Sequence, residues 1–136
     1  VKKGLYLVAF LTGFLLITGM GGLGGTPSGK IPTPEKDFSA TLIDKQDVVT
    51  KCKQISRDGD VFFLGKKGKG TFTVSFEKVK IAEFQNGKGV VIAVLKLIDG
   101  QTIEIEMDKS QKFYGNVPFG TFQIEVSDLK KITFTH

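Results

Sequence analysis

The sequence predicts an all-β domain, and three observations carry the prediction. Beyond residue 37 apolar and polar residues alternate with period two, the spacing of strands with one buried face. No stretch there sustains a helical period over three turns. Residues 63–84 also align without a gap on residues 113–134, with seven identical positions. The expected architecture is a small barrel or sandwich of two similar halves, with about 8–10 short antiparallel strands. An N-terminal signal or anchor helix should precede it. The chain of 136 residues suits one such domain.

The first 25 residues, "VKKGLYLVAFLTGFLLITGMGGLGG", stand apart. Lys2 and Lys3 precede an apolar run from Gly4 to Met20, and a glycine cluster follows. Charged start, apolar middle and small-residue exit are the parts of a secretory signal. Gly19-Met20-Gly21 and Gly22-Leu23-Gly24 are the candidate cleavage triplets. An uncleaved anchor needs roughly 20 residues to span a bilayer, and residues 4–23 reach that length. The expectation is a cleaved signal peptide, with anchoring to the inner membrane by residues 4–23 as the alternative. Both place the remainder outside the cytoplasm, in the periplasm or extracellular space. Lipoprotein anchoring would need a cysteine just after the run, and the only cysteine is Cys52.

Residues 26–37, "TPSGKIPTPEKD", hold three of the four prolines and read as an extended linker. The all-β domain is therefore expected over residues 38–136. In "GTFTVSF" Phe72, Val74 and Phe76 share one face and Thr71, Thr73 and Ser75 the other. Ile103, Ile105 and Met107 alternate with Glu104 and Glu106, and Phe122, Ile124 and Val126 repeat the pattern. "GVVIAVLKLI" is apolar on both faces and should be a central or doubly covered strand. Ser127 and Asp128 favour a single helical turn near Ser127-Asp128-Leu129. Cys52, between Lys51 and Lys53, should face the core as a small apolar residue.

The stretch "GKKGKGTF" invites comparison with a phosphate-binding loop. Such a loop needs lysine directly after its second glycine, at the start of a helix. Here Thr71 follows Gly70 and a strand follows Thr71, while the second copy, "GNVPFGTF", has no lysine. The copies share Gly65/Gly115 and Gly70/Gly120, so the turn reads as structural. Backbone angles that other residues resist are the expected reason for these glycines. Lys66, Lys67 and Lys69 are then an addition to the first copy, and the candidate site for an anionic ligand.

The ending "GTFQIEVSDLKKITF" resembles small exported bacterial all-β domains that carry a Gly-x-Phe-x-Ile-x4-Leu-Lys-x-Ile-x-Phe phrase. Gly120, Phe122, Ile124, Leu129, Lys130, Ile132 and Phe134 carry the resemblance. In the first copy Ile81 and Ala82 replace the Lys-Ile step. The resemblance implies a compact β module and brings no catalytic residue with it.

Little catalytic chemistry is on offer. The one histidine is the last residue, His136. One cysteine and one terminal histidine do not build the usual zinc sites. Asp58 and Asp60 around Gly59 are explained by turn chemistry, and the lysines that follow would repel a calcium ion. Glu104 and Glu106 share a solvated strand face rather than opposing each other across a cleft. No enzyme activity, metal or cofactor is expected. The net charge of +5 permits an anionic partner without demanding one. With most phenylalanines alternating inward and the domain expected to be exported, nucleic acid is not an expected partner. The expected role is an exported, non-catalytic envelope or extracellular module acting through a protein partner or self-assembly. The alternative is binding of an anionic polysaccharide, lipid headgroup or other polyanion through Lys66, Lys67 and Lys69. Membrane contact is expected only through an uncleaved N-terminal segment.

Overall fold

The computed structural model describes residues 31–136. The expected signal or anchor, and residues 26–30 of the expected linker, lie outside them. Among the described residues there are ten strands and no α-helix. The strands are β1 (Ser39–Asp44), β2 (Val49–Arg57), β3 (Phe62–Lys67), β4 (Gly70–Ser75) and β5 (Val79–Asn86). They continue as β6 (Val90–Leu97), β7 (Thr102–Asp108), β8 (Lys112–Val117), β9 (Gly120–Glu125) and β10 (Leu129–Thr135). Two 3-10 turns, Phe76–Lys78 and Val126–Asp128, precede β5 and β10. The second is the helical turn foreseen at Ser127-Asp128. The first is capped by the Ser75 hydroxyl, which accepts from the Glu77 N–H at 3.3 Å.

All ten strands belong to one antiparallel sheet in the order β4-β3-β7-β6-β5-β10-β1-β2-β8-β9. The expected all-β class, with about 8–10 short antiparallel strands, holds. The sheet curls into a half-barrel with two free ends, β4 and β9. β6, the strand apolar on both faces, is central as foreseen. Its Val91, Ala93 and Leu95 are buried, while Ile92 and Val94 on the opposite face stay partly exposed.

The core lies on the concave side. Phe63, Phe76, Phe84, Phe113 and Phe134 meet there, with ring centroids 5.0 Å apart for Phe63/Phe76 and for Phe76/Phe134. Phe63 of β3 and Phe113 of β8, far apart in strand order, come within 5.8 Å. Phe63, Phe76 and Phe113 are fully buried. Burial of each contributes about 1.5–3 kcal/mol, before the smaller gain from edge-to-face geometry. Cys52 faces this core as expected, between exposed Lys51 and Lys53.

The sheet bends sharply where β3 leaves β7 and where β8 leaves β2. At the first place only Lys66 pairs with Glu106. At the second the register shifts between Lys53 and Ser56 around Gln54, which takes a φ of 51°. Gly65 and Gly115 sit at these bends. Their role differs from the backbone-angle explanation, because neither has a positive φ. A Cβ at Gly65 would lie 2.8 Å from the Glu106 carbonyl oxygen. One at Gly115 would lie 2.7 Å from Cys52 Sγ. Close approach of neighbouring strands, not a special φ, requires glycine there. Gly70 likewise has no positive φ, whereas Gly120 has one of 155°.

Gly115→Ala should therefore destabilise the domain by about 1–3 kcal/mol, read from the denaturant midpoint. Adding Cys52→Ala removes the sulfur and should recover part of that loss. Equal midpoints for wild type and Gly115→Ala would refute the close-approach account.

Candidate functional site

The lysine turn is the tip of the β3–β4 hairpin. Lys67 pairs with Gly70, leaving Gly68-Lys69 as a two-residue loop. Gly68 has a φ of 63° and Lys69 has no positive φ, the pattern of a type II′ turn with glycine first. Lys66, Lys67 and Lys69 are all exposed. Among the described ion pairs, none involves these three residues. Strand alternation puts Lys66 and Lys67 on opposite faces of β3. The hairpin tip therefore presents three cations pointing in different directions rather than a single cradle. Lys66 borders a shallow groove of about 320 Å³ whose wall includes Leu64, Thr71, Glu106 and Gln111. Glu106, opposite Lys66 in the sheet, gives that groove mixed charge.

A larger groove of about 520 Å³ runs along β1, β2 and the end of β8, between Thr41, Lys51, Lys53, Val117 and Pro118. Its lining is mostly apolar, and Cys52 lies at its floor. The thiol itself is buried, and that burial pushes its pKa up to about 11. A thiol held protonated is a poor nucleophile, which agrees with the reading of Cys52 as a packing residue.

The other polar candidates fold into structural roles. Arg57 is almost fully buried and was not singled out in the sequence. Its Nε donates to the Phe62 carbonyl at 3.0 Å and its Nη2 to Asp60 Oδ2 at 3.1 Å. The guanidinium carbon also lies 5.2 Å from the centre of the Phe62 ring. Asp58 approaches Nη1 at 3.6 Å. The "RDGD" carboxylates thus serve an internal arginine, and Asp58 and Gly59 take φ values of 51° and 95° in a tight turn. Asp99 accepts from the Gln101 N–H at 2.9 Å in the β6–β7 turn. Glu104 and Glu106 are exposed on the face of β7 opposite the core. Among the described residues no three His, Cys, Asp or Glu side chains come together as metal ligands. His136 is exposed, with Nε2 2.7 Å from the Val79 carbonyl oxygen and its ring stacked on Phe134.

Exposed apolar residues cluster at turns and at one edge. Phe119, at the tip of the β8–β9 hairpin, is 92% exposed. Phe72 on edge strand β4 shares the inward face with Val74, which packs against the core, yet it is 40% exposed. Alternation within β4 is present, but no strand lies beyond β4 to cover it.

These features define an all-β domain with open sheet edges and a cationic hairpin tip. The family model described as "Uncharacterised protein" matches residues 34–136, and the chain belongs to that family. No curated protein and no solved structure matches the chain.

The raised Cys52 pKa has a consequence for stability. The folded state holds this proton more tightly than the unfolded chain. Its contribution is fully present below the unfolded value and is lost as pH rises toward about 11. At most about 2–3 kcal/mol is at stake. Unfolding midpoints should fall more steeply between pH 9 and 11 for wild type than for Cys52→Ala. Parallel pH profiles would show that the thiol titrates normally.

Proposed function

We propose that this protein is an exported, non-catalytic module of the cell envelope or extracellular space that acts by protein–protein contact or assembly. One observation carries the reading: the sheet ends in two open strands, β4 and β9, each with a row of backbone groups free to pair. A partner strand added to such an edge gains main-chain hydrogen bonds without needing a pocket. The signal-like residues 1–25 support export, to the periplasm or beyond, with anchoring by residues 4–23 as the alternative.

The internal repeat belongs to this reading. β3, β4, the first 3-10 turn and β5 start at residues 62, 70, 76 and 79. β8, β9, the second turn and β10 start at 112, 120, 126 and 129. Matching β1 with β6 and β2 with β7 as well makes the strand order the same read from either end. Two similar halves then meet at β5 and β10, each lending its first hairpin to the other's second. Such a body offers two related edges, and they differ in side chains.

Binding of an anionic polymer or lipid headgroup is the second reading, favoured by the three exposed lysines of the β3–β4 tip. Their divergent directions suit a loosely held polyanion better than a discrete ligand.

Two measurements separate these readings. Intact mass and N-terminal sequence of the native protein, taken from soluble and membrane fractions, test export. A cytoplasmic chain retaining Lys2 and Lys3 would overturn it. Retention on a heparin-type matrix should be weak and little altered by Lys66/Lys67/Lys69→Ala under the assembly reading. Strong, salt-sensitive retention lost in that triple variant would establish the polyanion reading instead.

A further inference from the structure

The two sheet edges are not equivalent. β9 ends in Glu125, a charge that hinders a second strand. β4, "GTFTVS", has no charged residue and no proline, and its first four residues are exposed. Threonine, phenylalanine and valine are strong strand formers. By these criteria β4 is an unguarded edge.

Its backbone is also set for pairing. The loop Gly68-Lys69 closes on Lys67 and Gly70, so that pair exchanges both backbone bonds. Alternation then directs the N–H and C=O groups of Gly70, Phe72 and Val74 toward β3. Those of Thr71, Thr73 and Ser75 point outward. We propose that β4 pairs antiparallel with β4 of a second copy of this chain, about a two-fold axis through Thr73, joining two sheets into one. The proposal rests on the assembly reading above and names its partner.

The side chains of β4 read the same way in both directions, and this favours a second copy over an unrelated strand. About an axis at Thr73, Thr71 faces the partner's Ser75 and Thr73 faces itself, so hydroxyl meets hydroxyl. Phe72 faces the partner's Val74, which covers the exposed ring. These are favourable cross-strand pairs. The same register carries Lys69 of each hairpin tip toward the partner's Glu77, which lies in the 3-10 turn just beyond β4, is 53% exposed and pairs within its own chain with Lys36 at 3.7 Å. Opposite charge therefore stands near both ends of the shared ladder. In β9 the corresponding register would set Phe119 level with Ser127, with no charge pair. A two-fold contact also closes on itself, giving a dimer rather than a fibre.

The test is register-specific crosslinking of the full-length chain in a mild detergent, in a Cys52→Ala background. Paired residues on adjacent antiparallel strands lie within disulfide reach, with Cα atoms roughly 5.5 Å apart. Thr73→Cys should oxidise to a covalent dimer. Thr71→Cys mixed with Ser75→Cys should give the covalent mixed dimer, while either alone should form no covalent dimer. Gln123→Cys on β9 should not crosslink. In sedimentation experiments wild type should show a concentration-dependent dimer that persists in high salt. Thr73→Lys should be monomeric, with the unfolding midpoint that wild type shows at concentrations too low for the dimer, and Gln123→Lys should remain dimeric. A dimer that survives Thr73→Lys with no Thr73→Cys crosslink overturns the β4 contact but leaves assembly standing. A chain monomeric at every concentration overturns the inference. If no other protein then co-purifies in fixed ratio, the assembly reading fails with it.

Discussion

Five phenylalanine rings meeting on the concave side of one sheet are the constraint on which the rest of the structure depends. A single sheet has no second layer to pack against, so it must curl until its own ends cover its centre. Phe63 and Phe113 come from strands near opposite ends of the sheet, yet lie 5.8 Å apart. Phe84 and Phe134 from the two middle strands complete the cluster beneath them, and Phe76 fills the space between. Several local irregularities serve to bring those ends over. The bends at β7–β3 and β2–β8, the bulge at Gln54 and the glycines at 65 and 115 all let strands approach more closely than side chains allow.

The curl also determines what remains outside. A closed barrel would have joined β4 to β9 and left no edge. Here each end strand keeps one row of backbone groups unpaired. The concave side is filled with phenylalanine, and the grooves are shallow, so the chemistry of the surface is that of edges and hairpin tips. Such a surface is the basis of the proposed recognition of an extended chain or a second sheet.

Charge plays a secondary part in holding the fold. Arg57 is the one charged residue in the described core, and it is satisfied by Phe62, Asp60 and Asp58 around a tight turn. The remaining ion pairs, such as Lys96–Glu83 at 3.2 Å, join partly exposed side chains. Pairs of this kind contribute about 0–1 kcal/mol. Stability rests on the apolar interior, and the charged groups mainly keep the outer face solvated.

Strand positions, the inward direction of Cys52, the 3-10 turn at Val126–Asp128 and the central place of β6 were legible in the sequence, because each depends on local periodicity or capping. Arg57 was not legible as a core residue, since only the folded turn brings Phe62 and Asp60 to its guanidinium. The role of Gly65 and Gly115 was misread for a similar reason: their neighbours, Glu106 and Cys52, are distant in sequence. Lys66, Lys67 and Lys69 were legible as an exposed turn, but not their divergence, which follows from the register of β3. The residues alone determined an all-β chain of short, one-sided strands, because period-two alternation is a property of neighbours. Only the tertiary structure decided that the sheet stays open, which strands form its edges and that Phe72 is left uncovered. Those outcomes depend on which distant strands pair, and on how far a curling sheet turns before its core is full.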